Sequence, residues 1–82
     1  MSVIYKVYGT EGCPNCVLAK NLLCRNGLEF EYVSAEENFD SFVEYLTSHA
    51  PKGARGFPQV FFEGIDEVVY IGGYKELNES LK

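Results

Sequence analysis

The chain has 82 residues, of which 46% are hydrophobic and 15% aromatic, so it can form a core as one domain spanning residues 1–82. Its formal net charge of −5 disfavours a polyanionic partner such as nucleic acid. No apolar run in the sequence is long enough to cross a bilayer. We therefore expect a protein that binds neither nucleic acid nor a membrane. We also expect a monomer.

The first third of the chain predicts a strand, a helix and a second strand. Residues 3–8 are β-branched and aromatic and run into a glycine-containing loop, which is typical of a strand. From Pro14 onward, apolar residues recur at helical spacing until Asn26 and Gly27, which suit the end of a helix. Residues 28–33 then alternate between apolar and polar, as in a half-buried strand.

The middle of the chain predicts a second helix. Ser34 and Glu37 have the spacing of a capping box, and apolar residues then recur at helical spacing to about His49. The glycines and the proline of residues 51–56 predict a loop after this helix.

The last third of the chain predicts a hairpin and a terminal helix. Residues 60–62 and 68–71 are β-branched and aromatic and flank residues 63–67, which predicts two strands of a hairpin. The glycine pair 72–73 then introduces residues 74–81, whose apolar positions have helical spacing.

The resulting order is β-α-β-α-β-β-α, which constrains the topology. The first two strands should be parallel through a right-handed crossover, and the hairpin should add antiparallel strands. The sequence therefore predicts an α/β protein with the thioredoxin fold, a four-stranded mixed sheet flanked by three helices.

Cys13 and Cys16 form a C-x-x-C motif where the first predicted strand leads into the first helix. Backbone N–H groups at a helix start lack intrahelical partners and stabilise an anion, so they lower the pKa of a cysteine thiol there. The thiolate is the attacking species in disulfide exchange. We therefore predict that Cys13 is the catalytic nucleophile and that Cys16, one helical turn further, is the resolving cysteine.

A structural zinc site is the alternative interpretation, and it needs four ligands. Besides the motif, the chain offers only Cys24 and His49, and Cys24 lies roughly 16 Å along the helix from Cys13. We therefore expect no metal. Cys24 is predicted to be a small buried hydrophobe, with a regulatory thiol as the alternative. The odd number of cysteines and the C-x-x-C spacing favour the cytoplasm.

Three motifs together resemble the glutaredoxin family over almost the whole chain: C-P-N-C, F-P-Q-V-F and I-G-G-Y-K-E-L. The resemblance implies a dithiol oxidoreductase that reduces protein disulfides and glutathione mixed disulfides. Glutathione would be the reductant, without a permanently bound cofactor, and ribonucleotide reductase is one candidate among the protein partners. Two alternatives stay open: regeneration by a thioredoxin reductase, and an iron-sulfur cluster carrier that uses Cys13 and glutathione.

The resemblance also implies where glutathione would bind. Phe57 would precede a cis Pro58 and pair its backbone with the tripeptide, as an added strand does. The N–H groups after the glycine pair would bind the γ-glutamyl carboxylate, and Glu76 would replace the family's aspartate beside the amino group. The residues implied in this site are Arg55, Phe57, Pro58, Gly72, Gly73, Tyr74, Lys75 and Glu76.

Three positions near the motif depart from the family pattern. Asn15 replaces the usual tyrosine, and Thr10 stands where many members carry a cation for the glycyl carboxylate of glutathione. Glu11 would oppose a thiolate at Cys13 electrostatically. Glutathione binding should therefore be weaker than usual unless other cations compensate. The candidates for this compensation are Lys52, Arg55 and Lys75.

Overall fold

The computed structural model describes residues 4–54 and 56–82; residue 3, where the first strand was expected to begin, and Arg55 lie outside the described residues. The elements follow the predicted order. They are β1 (Ile4–Gly9), α1 (Pro14–Arg25), β2 (Phe30–Ser34), α2 (Phe39–His49), β3 (Gln59–Glu63), β4 (Val68–Gly72) and α3 (Tyr74–Ser80).

The four strands form one mixed sheet in the order β2-β1-β3-β4. β1 is parallel to β2 and antiparallel to β3, and β3 and β4 form the predicted antiparallel hairpin. Tyr8, near the end of β1, pairs with Gln59, the first residue of β3. The loop that follows β1 and the loop that precedes β3 therefore lie next to each other at the same end of the central strands.

The helices cover both faces of this sheet, as the fold prediction requires. Alternate strand residues point to opposite faces. Val7 and Val60 pack with apolar residues of α1 and α3, whereas Tyr8 and Phe61 pack with Phe42 of α2 on the other face. The central strands β1 and β3 are therefore buried on both sides and fix where the loops at their ends lie.

The predicted start of the second helix at Ser34 is wrong. Ser34 is the last residue of β2, and its Oγ accepts the N–H of Glu37 at 3.3 Å within a turn, while α2 begins at Phe39. Ala35 is buried and donates its N–H to the carbonyl of Gly9 at 2.9 Å, so the chain stays paired with β1 for one residue beyond Ser34. Residues 35–38 then form a turn, and Asn38, not Ser34, is the N-cap residue of α2.

The prediction that Cys24 is buried is also wrong, because its side chain is exposed. The core face of α1 consists of Cys16, Ala19, Leu22 and Leu23. Cys24 follows Leu23 and is therefore rotated by about 100° around the helix, which turns it from the core to solvent. The chain thus carries one accessible thiol outside the C-x-x-C motif.

Phe61 at the centre of the sheet offers a test of this core. It is fully buried, and its ring contacts those of Tyr8, Tyr45 and Tyr70. Phe61→Ala should lower the free energy of unfolding by about 3–5 kcal/mol, because it removes apolar burial and leaves a cavity. Ile65→Ala, at a side chain that is 66% exposed, should change it by no more than about 0.5 kcal/mol. Urea denaturation followed by circular dichroism measures both, and equal losses would contradict the assigned core.

Candidate active site

Cys13 is the N-cap residue of α1 and has an extended backbone, with φ −108° and ψ 101°. Its Sγ accepts the N–H of Cys16 at 3.2 Å, and its carbonyl accepts the N–H groups of Cys16 and Val17. Pro14 occupies the first helical position, where it leaves no N–H without a partner. The sulfur therefore takes the place of a capping side-chain oxygen, where a negative charge is stabilised.

The two cysteines of the motif differ in accessibility. Their sulfur atoms lie at disulfide-bonding distance, with Cα atoms 5.3 Å apart. Cys16 is only 1% exposed, whereas Cys13 is half-buried. An external disulfide therefore reaches Cys13 first, and Cys16 can react only with a group already bonded to Cys13. These are the positions that the predicted nucleophile and resolving cysteine require.

A groove of about 520 Å³ begins at Asn15, inside the C-x-x-C motif, and runs between the loop before β3 and the start of α3. The site residues implied by the resemblance line it wherever the structure describes them, and Arg55 lies outside the described residues. Those that line the groove are Phe57, Pro58, Gly72, Gly73, Tyr74, Lys75 and Glu76. The structure therefore gathers residues from three separate segments into one cavity beside the motif.

Gln59 supports the loop that carries the cis Phe57-Pro58 bond, and sequence analysis assigned it no role. Its side chain is 2% exposed, donates to the carbonyl of Gly56 at 2.8 Å and accepts the hydroxyl of Tyr70 at 2.7 Å. Burial, with a smaller contribution from the Glu76 carboxylate, raises the pKa of Tyr70, so its hydroxyl stays a donor. A polar residue inside the apolar run F-P-Q-V-F is the signal that could have revealed this role.

The start of α3 is less open to a ligand carboxylate than the resemblance implied. Glu76 Oε1 accepts the N–H of Gly73 at 2.9 Å, so the chain's own carboxylate already uses that donor. Gly72 has a φ of +123°, and a Cβ there would collide with the Glu76 side chain. An incoming carboxylate must therefore displace Glu76 or use the other unpaired N–H groups of the first helical turn.

The candidate compensating cations occupy different places. Lys75 lines the groove, whereas Lys52 lines a separate cavity beside the end of α2. Thr10 and Glu11 line a second cleft next to Cys13, and the groove does not include them. Of these two lysines, only Lys75 is therefore placed to contact a molecule in the groove.

Within residues 4–54 and 56–82, no three His, Cys, Asp or Glu side chains converge as metal ligands. In the same ranges, no helix has the length and apolar character that a membrane span requires.

Comparisons with known proteins agree with this geometry. The family model for glutaredoxin matches residues 5–66. A glutaredoxin from Brucella melitensis is 33% identical, with a TM-score of 0.66 over 92% of this chain and 74% of that chain. Reduced glutaredoxin from Escherichia coli is 29% identical, with a TM-score of 0.66 over 95% of this chain and 92% of that chain.

Glutaredoxin 1 from Francisella tularensis is 23% identical and has a TM-score of 0.71 over 98% of this chain and 93% of that chain, which supports the fold. None of the curated proteins compared with the chain matches it in sequence. The family match nevertheless spans most of the chain. The chain belongs to the glutaredoxin family, with the thioredoxin-superfamily fold. Membership supports thiol-disulfide oxidoreductase activity.

The position of Cys13 at the start of α1 predicts selective reactivity. In the reduced protein, Cys13 should be alkylated with a half-maximal rate below pH 8.5, roughly the pKa of a free thiol, because the helix start stabilises its thiolate. The measurement is the rate of iodoacetamide modification against pH. It uses Cys24→Ser, because Cys24 is an exposed competitor. Modification that starts only above this pH would contradict the assignment.

Proposed function

We propose that this protein is a dithiol glutaredoxin that reduces protein disulfides and glutathione mixed disulfides and is regenerated by glutathione. The observation that carries this proposal is the groove beside the C-x-x-C motif, where Phe57, Pro58 and the glycine pair 72–73 converge. Such a groove suits an extended tripeptide, because the backbone before Pro58 is available for strand-like pairing.

Reduction of a substrate proceeds through two exchanges. The Cys13 thiolate attacks one sulfur of the substrate disulfide, that bond breaks, and the departing thiolate takes a proton. The Cys16 thiolate then attacks Cys13 Sγ, which forms the Cys13–Cys16 disulfide and releases the second substrate thiol. The two electrons come from the dithiol. Burial of Cys16 favours this order, because Cys13 is the more accessible of the two motif cysteines at the first step.

Regeneration consumes two molecules of glutathione. The first thiolate attacks Cys13 Sγ and displaces Cys16 as a thiolate, and the second attacks the mixed disulfide to give glutathione disulfide and reduced Cys13. In the groove, the ammonium group of Lys75 would face a carboxylate of the tripeptide, and the carboxylate of Glu76 would face its amino group. Complementary charges of this kind orient the thiol of glutathione toward Cys13.

A thioredoxin reductase remains the second candidate for the electron donor, because two observations weaken the glutathione site. Position 10 lacks the family's cation, and Glu76 occupies the N–H of Gly73. Disulfide-containing proteins, with ribonucleotide reductase as one candidate, would be the recipients in either case. A reducing compartment such as the cytoplasm suits this chemistry.

The choice of electron donor is decided by one comparison. Purified protein should turn over hydroxyethyl disulfide with glutathione, NADPH and glutathione reductase much faster than with NADPH and thioredoxin reductase, because the groove fits the tripeptide. Consumption of NADPH is followed by absorbance. Faster turnover with thioredoxin reductase would reject glutathione as the reductant and leave the dithiol chemistry in place.

Lys75, which lines the groove, offers a second test of the glutathione site. Lys75→Glu should raise the Michaelis constant for glutathione about tenfold, because a charge-assisted hydrogen bond contributes roughly 1.5–3 kcal/mol. Lys82→Glu makes the same charge change at the exposed end of the chain and serves as the control. Steady-state kinetics with varied glutathione measure both. Equal Michaelis constants for the two variants would show that Lys75 does not contact the tripeptide.

A further inference from the structure

A second cleft, of about 280 Å³, lies next to Cys13 and shares no residue with the groove. We call it the Lys20 cleft; its walls include Cys13, Val17, Lys20 and Tyr32, and Glu11 also borders it. Its volume is near the lower end of the range for small-ligand sites, about 300 Å³. Thr10 also lines this cleft, so the position that lacks the family's cation lies here and not in the groove that contains Lys75.

The Lys20 cleft follows one face of α1 away from the nucleophile. Cys13, Val17 and Lys20 are spaced at i, i+4 and i+7, which places them in a row along the helix. Val17 is 51% exposed, so an apolar surface lies between the reactive sulfur and the cation. A chain bonded to Cys13 and extending along this row would pass Val17 before it reaches Lys20.

Lys20 is held in place by an aromatic ring. Its ammonium lies 4.1 Å from the centre of the Tyr32 ring, and this contact restricts where the side chain can go. The Tyr32 ring in turn lies against Gly9 of β1, where any Cβ would collide with it. Three elements of the fold therefore position one cation at the end of the Lys20 cleft.

The charge of Lys20 has no carboxylate partner in the described part of the chain, where the ion pairs are made by Lys6. The site is therefore open to an external anion. Glu11 borders the same cleft and opposes a large negative charge there. A single carboxylate fits this balance better than a doubly charged phosphate.

We propose that the Lys20 cleft binds the segment of a protein substrate next to its reacting cysteine, and that Lys20 selects an acidic side chain in that segment. The proposal rests on the proposed role of Cys13 as the nucleophile. The cleft is within reach of a protein substrate held in a mixed disulfide on Cys13, because Cys13 forms part of its wall. The cleft thus adds substrate selection that is independent of the glutathione groove.

The test uses peptides with one cysteine activated as a 2-pyridyl disulfide and with Glu, Gln or Lys two residues away. Attack by Cys13 on the peptide sulfur releases thiopyridone, whose absorbance gives the second-order rate constant. The protein should react with the Glu peptide about tenfold faster than with the Gln peptide, which is the effect of one charge-assisted hydrogen bond. The Lys peptide should react most slowly.

Variants then assign this preference to one side chain. Lys20→Gln should abolish the preference, Lys20→Glu should invert it toward the Lys peptide, and Lys82→Gln should leave it intact. Circular dichroism verifies that each variant is folded. All of these proteins also carry Cys24→Ser, because Cys24 is an exposed thiol that would attack the activated peptides itself. In this background, Cys13→Ser should lose all reaction, and a reaction that persists would reject the proposed function separately.

Three results would overturn the proposal. If Lys20→Gln slows all three peptides by one factor, the cation acts on the Cys13 thiolate and not on the substrate. If it changes only the reaction with glutathione disulfide, the cleft serves the tripeptide. If the unaltered protein reacts equally with all three peptides, the cleft makes no selection by charge.

Discussion

The hydrogen bond from the Cys16 N–H to Cys13 Sγ is the interaction on which the site depends. This bond forms because Cys13 is the N-cap residue of α1. Because β1 and β2 are parallel, a helical crossover must join them, and α1 therefore starts just beyond the carboxyl end of β1. The same cap leaves Cys13 accessible and turns Cys16 into the core. One local geometry thus provides the stabilised thiolate and separates the two roles in disulfide exchange.

For the binding of anionic molecules near Cys13, the positions of the nearby lysines matter more than the net charge of the chain. The net charge is −5, yet a lysine stands in each cavity near the motif, Lys75 in the groove and Lys20 in the Lys20 cleft. Glutathione and an acidic protein segment are both anionic, so these cations attract them locally. The proposed division assigns the groove to the reductant and the Lys20 cleft to the protein substrate, in two cavities that share no lining residue.

The sequence allowed the order of elements, the strand directions and the position of the C-x-x-C motif at a helix start to be predicted, because periodicity and helix starts are local properties. Local patterns could not show that the chain stays paired with β1 through Ala35, so that α2 begins only at Phe39. They also did not show that Cys24 lies off the core face of α1. The hydrogen bond between Gly73 and Glu76 and the cation–π contact between Lys20 and Tyr32 were also not predicted. The first depends on the backbone conformation at Gly72, and the second on strand register.

The central claim is that Cys13 carries the substrate during exchange. It is tested most directly by reacting reduced Cys16→Ser with glutathione disulfide and locating the adduct by peptide mass spectrometry. The account predicts one glutathione on Cys13, retained because the variant lacks the thiol that would release it, with Cys24 modified far more slowly. An adduct formed first on Cys24, or none on Cys13, would contradict the account.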